Sequence, residues 1–350
     1  MQKDFHFYTI YALVRSAGFS DKDAFVVAYS SQHTDDAKYE HTLEFENGGI
    51  FQQVLTSHRF FDPGTISKPV CYKIWVPFHF LPGALGSNFY EKMFTKANSI
   101  VAQGMIEELL SSEPKPYMLH RLGIILHVYA DTWSHQNFMG IIKEDMNDVK
   151  DMEVEEESSG FIRDFLSNLK EEILEYAAPM LGHAQAGTIP DEPYRAWEYT
   201  DYRDIRHKVI NWERALDSAK FCYHLILRFL RRFPEYRAQK TAQWSEIEEI
   251  LLDLFQKKGN LDERIANWKK AISDNAFPFR VTEADKDLNY DDREWFRSAV
   301  KVSIDASGKE HYIRLDEFEI SNWKYFHDAA LLHRFIIIHE ILPQHQIICG

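Results

Sequence analysis

The stretch LGIILHVYADTWSHQNF, residues 122–138, constrains this chain more than any other. His127, Asp131 and His135 stand at i, i+4 and i+8, a spacing that places all three on one helical face, one turn apart. Ile124, Ile125, Leu126, Val128, Tyr129, Ala130 and Trp133 occupy the remaining positions, so the helix is apolar almost all round and is expected to be buried. Two imidazoles and a carboxylate on such a helix must be compensated for their desolvation. Hydrogen bonds do this, and so does a metal cation, which also neutralises the carboxylate. The stretch therefore reads as the core of a metal site.

The chain has 350 residues, 45% of them hydrophobic and 14% aromatic, enough for one large domain or two fused ones. A formal charge of −14 without a basic stripe excludes duplex nucleic acid as a passive electrostatic partner. Cys71, Cys222 and Cys349 are odd in number, far apart and form no CxxC pair, which favours a reducing compartment. The opening MQKDFHFYTIYALVRSAGF lacks a signal peptide's basic region and cleavage site, and the apolar run RFIIIHEIL is short and charged. A cytoplasmic protein without stable membrane insertion is expected; the oligomeric state is left open.

Residues 4–17 carry Phe5, Tyr8, Ile10, Tyr11, Leu13 and Val14 in a helical pattern that Gly18 ends. Ser20 or Asp21 caps a second helix, whose last turn holds Gln32, His33, Asp35 and Asp36. Two carboxylates at a helix C-terminus oppose the macrodipole and need a compensating partner. Residues 39–83 lose the helical period. TLEF and VCYKIWV alternate as short strands do, Asn47-Gly48-Gly49 signals a turn, and Pro77 and Pro82 bracket Phe78-His79-Phe80. This reads as a small hairpin excursion over the mouth of a helical bundle. A long helix is expected over 84–111, a solvated acidic loop over 143–159, and further helices over 161–177, 204–233, 244–257, 261–272 and 319–342. VKVSID and HYIRL suit a two-stranded ribbon. The expected fold is mainly α, with a metal-binding helical domain at 1–240 and a C-terminal helical extension at 241–350 packed on the same domain.

A centre holding several metal ions needs His and Asp side chains arriving from different elements. In order the chain offers Asp4 and His6, Asp35, His58 and His79, the triplet His127, Asp131 and His135, then His183 and Asp191, each in an apolar or loop setting. His58 and His79 compete for one role. Asp36 and His120 read as solvated or supporting residues. His327-Asp328 lacks the companions of a His-Asp phosphohydrolase dyad, and His339-Glu340 lacks the second His of a zincin.

The triplet resembles the central motif of the zinc-dependent phospholipase C and single-strand nuclease superfamily, which includes the Het-C-like proteins. The sequences DFHFYTIYALVRSAGF and AYSSQHTDDA resemble that superfamily's early His and the Asp ending its next helix, and SHRFFDPG resembles its His-Phe-Tyr-Asp-Pro segment with one residue inserted. The whole chain is most similar to a bacterial branch of unknown function that shares the DFH start and the PFHFLPG segment. The resemblance covers roughly the first half of the chain. It implies a phospholipase C/nuclease-like multi-helix bundle in which His6, Asp35, His58, His127, Asp131 and His135 hold a trinuclear zinc cluster bridged by Asp131. It departs in three places. The phospholipases and nucleases supply a mature N-terminal Trp amine to a metal, whereas this chain begins Met-Gln-Lys, and Asp4 is the suggested substitute. The family's later His and Glu have no clear match, leaving His183 and Asp191 as candidates. The Asp131–His135 spacing follows the Het-C-like version.

The expected protein is thus a hydrolase of a small phosphoester such as a phosphodiester. It would use two or three zinc ions, or other divalent transition metals, to bind phosphate and activate water, with Asp131 bridging and Asp35 or Asp4 as general base. The alternatives are a metal-stabilised binding or structural protein with a closed coordination sphere, and an amidase-type metallohydrolase.

Overall fold

Asp4–Thr9 forms a single π-helical turn that runs directly into α1, Ile10–Ala17. Gly18 ends α1 in the left-handed region at φ 116°, where a Cβ would also meet the Gln239 carbonyl oxygen at 2.7 Å. Ser20 then caps α2, Asp21–Asp36, accepting the Asp23 N–H at 3.1 Å. The computed structural model describes residues 1–39, 41–57, 67–143, 145–155 and 182–349. His58, most of SHRFFDPG and the helix expected over 161–177 lie outside them.

β1 (Thr42–Glu44) and β2 (Ile50–Gln52) pair antiparallel around the Asn-Gly-Gly turn, as the excursion was read. VCYKIWV is not a strand. Lys68–Val70, Cys71–Trp75 and Val76–Phe78 are helical, because Cys71, Ile74, Trp75 and Phe78 recur at helical spacing and are the buried set, whereas Lys73 is exposed. The helix expected over 84–111 is split into α3 (Phe89–Met93) and α4 (Ile100–Ser111). Asn98 takes φ 50° between them, and Ser99 caps α4.

The central helix, α5, spans Met118–Ser134 and is buried along almost its whole length. β3 (Lys150–Val154), β4 (Ala196–Thr200) and β5 (Arg206–Ile210) then form a three-stranded antiparallel sheet in that order. The first of these falls in the acidic run read as a loop. Its charges occupy the exposed positions while Met152 and Val154 are buried, so the charge concealed a period-two pattern. α6 (Asn211–Arg232), α7 (Glu248–Gln256) and α8 (Leu261–Ser273) follow. The expected ribbon forms as β6 (Val300–Ile304) and β7 (Glu310–Arg314), and α9 (Asn322–Phe335) passes into a π-helical turn at Ile336–Ile341. Seven strands in three small sheets, counted among the described residues, correct the expectation of a mainly α bundle with one hairpin. The fold is mixed, helical at its centre with sheets at its periphery.

Helices α2, α4, α6 and α9 pack on α5, and α1 packs on both α2 and α6. The segment 241–350 closes over this core: α7 lies on α6, α8 on the Asp4–Thr9 turn and α9 on α5. Asp285 ties it to α1, accepting from Arg15 Nε at 2.9 Å, Arg15 Nη2 at 2.8 Å and the Tyr11 hydroxyl at 2.6 Å. No described helix is long and apolar enough to cross a membrane.

Helices α2 and α5 approach closely at Gly123. A Cβ there would stand 2.3 Å from the Val27 carbonyl oxygen and 2.6 Å from Ser30 Cβ. Because both helices carry cluster residues described below, the glycine sets their separation. Gly123→Ala is expected to destabilise the protein by about 2 kcal/mol or more through overpacking, read as a lowered denaturant midpoint with an unchanged slope.

Candidate metal centre

The helical period of α5 brings His127, Asp131 and His135 to one buried stripe, with His135 at the C-cap. The Asp131 carboxylate is 1% exposed, and four other segments converge on it. His6 arrives from the π-helical turn, its Nε2 3.1 Å from Asp131 Oδ1 and its ring stacked on His127 at 3.9 Å. Asp35 arrives from the last turn of α2, with Oδ1 3.7 Å from His79 Nδ1 and 3.8 Å from His127 Nε2. His79 follows the 68–78 helical stretch and lies 3.5 Å from Asp131 Oδ2. The fourth segment is the loop after Gly182, which carries His183 and Asp191. His183 Nε2 is 3.4 Å from Asp191 Oδ2, and His135 Nε2 is 3.5 Å from Asp191 Oδ1.

Packing orients these rings. Phe80 stacks on His135 at 4.4 Å and leans on His183 at 6.1 Å. Gly182 takes φ 56° against the Phe80 ring, where a Cβ would come within 2.1 Å of it, so only glycine lets the loop bring His183 in. Backbone carbonyls then fix the ring nitrogens. His79 Nε2 lies 2.8 Å from the Thr56 oxygen, His135 Nδ1 2.7 Å from the His79 oxygen, and His183 Nδ1 3.0 Å from the Gly187 oxygen. Each carbonyl accepts only from an N–H, so in a neutral ring the opposite nitrogen presents its lone pair to the cluster.

Three ligand groups result: His6, His127 and Asp131; Asp35, His79 and His127; and His135, His183 and Asp191. Within each group one donor atom per residue lies within 4.8 Å of the others. His127 belongs to two groups, and Asp131 lies between all three.

The N-terminal amine is the feature that sequence reasoning missed. The resemblance left its position unfilled, yet the Met1 amino group lies 2.8 Å from Asp131 Oδ1 and 3.0 Å from Asp191 Oδ1. No side-chain pattern signals a backbone amine. Asp4, offered as its substitute, stands apart from the three groups. It is buried against Arg264 of α8, whose Nε donates to its Oδ2 at 2.7 Å. Asp36 also turns away, accepting from the Tyr290 hydroxyl at 2.8 Å and Gln32 Nε2 at 2.9 Å.

Burial and mutual charge shift most of these groups. Burial pushes His6, His127 and His183 down to about 4, so their rings are neutral at pH 7. Burial opposes ionisation of Asp131 and Asp191, but the Met1 ammonium and neighbouring histidines outweigh it and hold both carboxyls well below the usual range. Burial raises Asp35. The Met1 amine shows the reciprocal effect: burial alone would lower it, and Asp131, Asp191 and Asp35 raise it to about 11. Among the described residues, Nδ1 of His6 and Nδ1 of His127 are buried without a partner. Orphaned donors and acceptors of this kind, beside carboxylates, fit a set of metal ligands. The cluster forms the floor of a cavity of about 380 Å³. A second cavity of about 410 Å³, bordered by Tyr194, Arg195 and Trp212, contains none of the three groups.

Fold and site together define a protein with a buried cluster of His and Asp side chains that could hold a metal ion, set in a helical core. The chain belongs to the Family of unknown function (DUF6765), whose model matches residues 1–341. No curated protein and no solved structure matches it.

Elemental analysis of protein purified without a metal-affinity tag is expected to find about two or three zinc equivalents, mostly lost in Asp131→Ala and retained in Asp36→Asn. No metal after incubation with zinc would overturn the assignment. Arg264→Ala leaves the buried Asp4 charge unpaired and is expected to cost about 3–5 kcal/mol, measured by chemical denaturation.

Proposed function

We propose that this chain is a metal-dependent hydrolase of phosphoesters, with His6, His127 and Asp131, Asp35 and His79, and His135, His183 and Asp191 as the residues that hold the metal. The observation that carries the reading is the orientation of His79, His135 and His183, each tied at one nitrogen to a backbone carbonyl with the other turned toward shared carboxylates. Such outer contacts fix ring tautomer and direction in metal sites. The donor set of neutral imidazoles and carboxylates suits zinc and similar divalent ions, which supply Lewis acidity and a water of lowered pKa.

The chain's own residues divide the remaining work. Asp131, 1% exposed and in contact with members of all three groups, would be the carboxylate shared between bound ions. Asp35 is 29% exposed, against 15% for Asp191, so it is the cluster carboxylate most open to the cavity and the one placed to accept a proton from an incoming nucleophile. Asp4 is sealed by Arg264 and has no part in this step. The site opens to a cavity, which favours turnover over the closed coordination of a purely structural centre.

Hydrolysis of bis(p-nitrophenyl) phosphate and of a p-nitrophenyl amide by the zinc-loaded protein tests the reading. Diester turnover is expected, with a fall of about 100-fold or more in kcat for Asp35→Asn at retained metal content. Amide turnover alone would replace the phosphoester assignment with the amidase one, and bound metal without either activity would leave a binding protein.

A further inference from the structure

The cavity above the cluster is not uniformly acidic. Its floor is formed by cluster residues, but Lys3 and Lys38 also line it, together with Gln2, Gln32 and Ser57. Among the described residues neither lysine has a carboxylate oxygen closer than 3.5 Å. Lys3 Nζ lies 5.2 Å from the centre of the Tyr290 ring, and the close contact of Lys38 is Asp36 Oδ1 at 3.5 Å, with the side chain 36% exposed. Asp36, the carboxylate beside them, is already occupied through its other oxygen by Tyr290 and Gln32. In a chain of net charge −14, these two ammonium groups bring positive charge to a cavity that Asp35, Asp36, Asp131 and Asp191 also line.

We infer that the substrate is a small phosphoester bearing a second anionic group, whose ester phosphate meets the cluster while Lys3 and Lys38 bind the distal charge. This rests on the phosphoester reading and narrows it. The cavity, at about 380 Å³, has room for a ligand in the range of small-molecule sites, and the polar character of Gln2, Gln32, Ser57 and the lysines suits a water-soluble bis-anion. Two solvent-facing charge-assisted contacts of this kind are together worth about one order of magnitude in affinity.

The test is equilibrium calorimetry on the full-length, zinc-loaded protein with 1,3-propanediol bisphosphate and with propyl phosphate, its singly phosphorylated counterpart, checking metal content after each titration. Wild type is expected to bind the bisphosphate about tenfold more tightly, and in the double variant Lys3→Gln/Lys38→Gln that advantage should shrink to about twofold or less at retained metal content. In wild type the advantage should also fall as salt is raised, because the contacts face solvent. Equal affinities in wild type, an advantage that survives the double substitution, or no binding of either ligand would each overturn the inference. Diester turnover without a bisphosphate preference would overturn it while leaving the hydrolase reading in place. A lysine-dependent preference without turnover would sustain the anion contact and remove the hydrolase reading.

Discussion

The burial of the Asp131 carboxylate is the constraint on which the rest depends. A carboxylate 1% exposed must be surrounded by positive charge or donors, and the chain gathers around it the Met1 ammonium, His6, His79, His127 and His135. Burial keeps the His6 and His127 rings neutral, whereas against burial Asp131 and Asp191 raise His135. Asp35 and Asp191 bring two further carboxylates to the same space. Three carboxylates thus share one space with the Met1 ammonium and a His135 raised by its acidic neighbours, while burial raises Asp35, a crowding of acidic groups that a bound cation would relieve.

The peripheral segments gain a purpose from this centre. His79 depends on the backbone of the excursion, since its orientation comes from the Thr56 carbonyl, and the excursion in turn is held by the C-terminal helix. His327 Nδ1 accepts the Val54 N–H at 3.1 Å, and His333 Nε2 donates to the Pro77 carbonyl at 2.9 Å. Both histidines are buried on α9, which packs on α5. His327, set aside as an incomplete His-Asp dyad, is therefore a backbone clamp two residues from Thr56. Arg264 does the same for the N-terminal segment through Asp4. The final third of the chain thus holds in place two of the segments that deliver ligands.

How much of this was legible follows from the kind of signal each residue carries. The triplet on α5 was readable because helical period and residue type agree over consecutive turns. His79 was visible through its Phe and Pro neighbours, and His183 and Asp191 through an apolar stretch too rich in Gly and Pro for a helix. The Met1 amine has no side-chain signature, and Asp4 looked like a ligand because its partner lies 260 residues away in Arg264. The sheet of β3, β4 and β5 escaped because strand edges tolerate charge: Lys150, Asp151 and Glu153 resemble a solvated run unless the buried Met152 and Val154 between them are weighted. The reverse error, a helix taken for a strand at VCYKIWV, came from reading alternation over a window too short to separate the two periods.

Asp35 and Asp36 show what sequence can and cannot divide. Adjacent on the last turn of α2, they oppose the helix dipole equally and both call for compensation. Successive helical side chains diverge by about 100°, so they cannot share one answer. Asp36 finds its answer in neutral donors and one lysine: Tyr290, Gln32 and Lys38. No hydrogen bond from a described residue reaches Asp35; its neighbours are the rings of His79, His127 and His6 at 3.7, 3.8 and 4.0 Å. The neutral rings of His127 and His6 do not compensate a carboxylate at those distances, whereas a cation between them would serve lone pairs and carboxylate together. The same dipole argument that flagged both residues therefore ends in hydrogen-bonded partners for Asp36 and, at Asp35, in a place among imidazoles that a cation could fill.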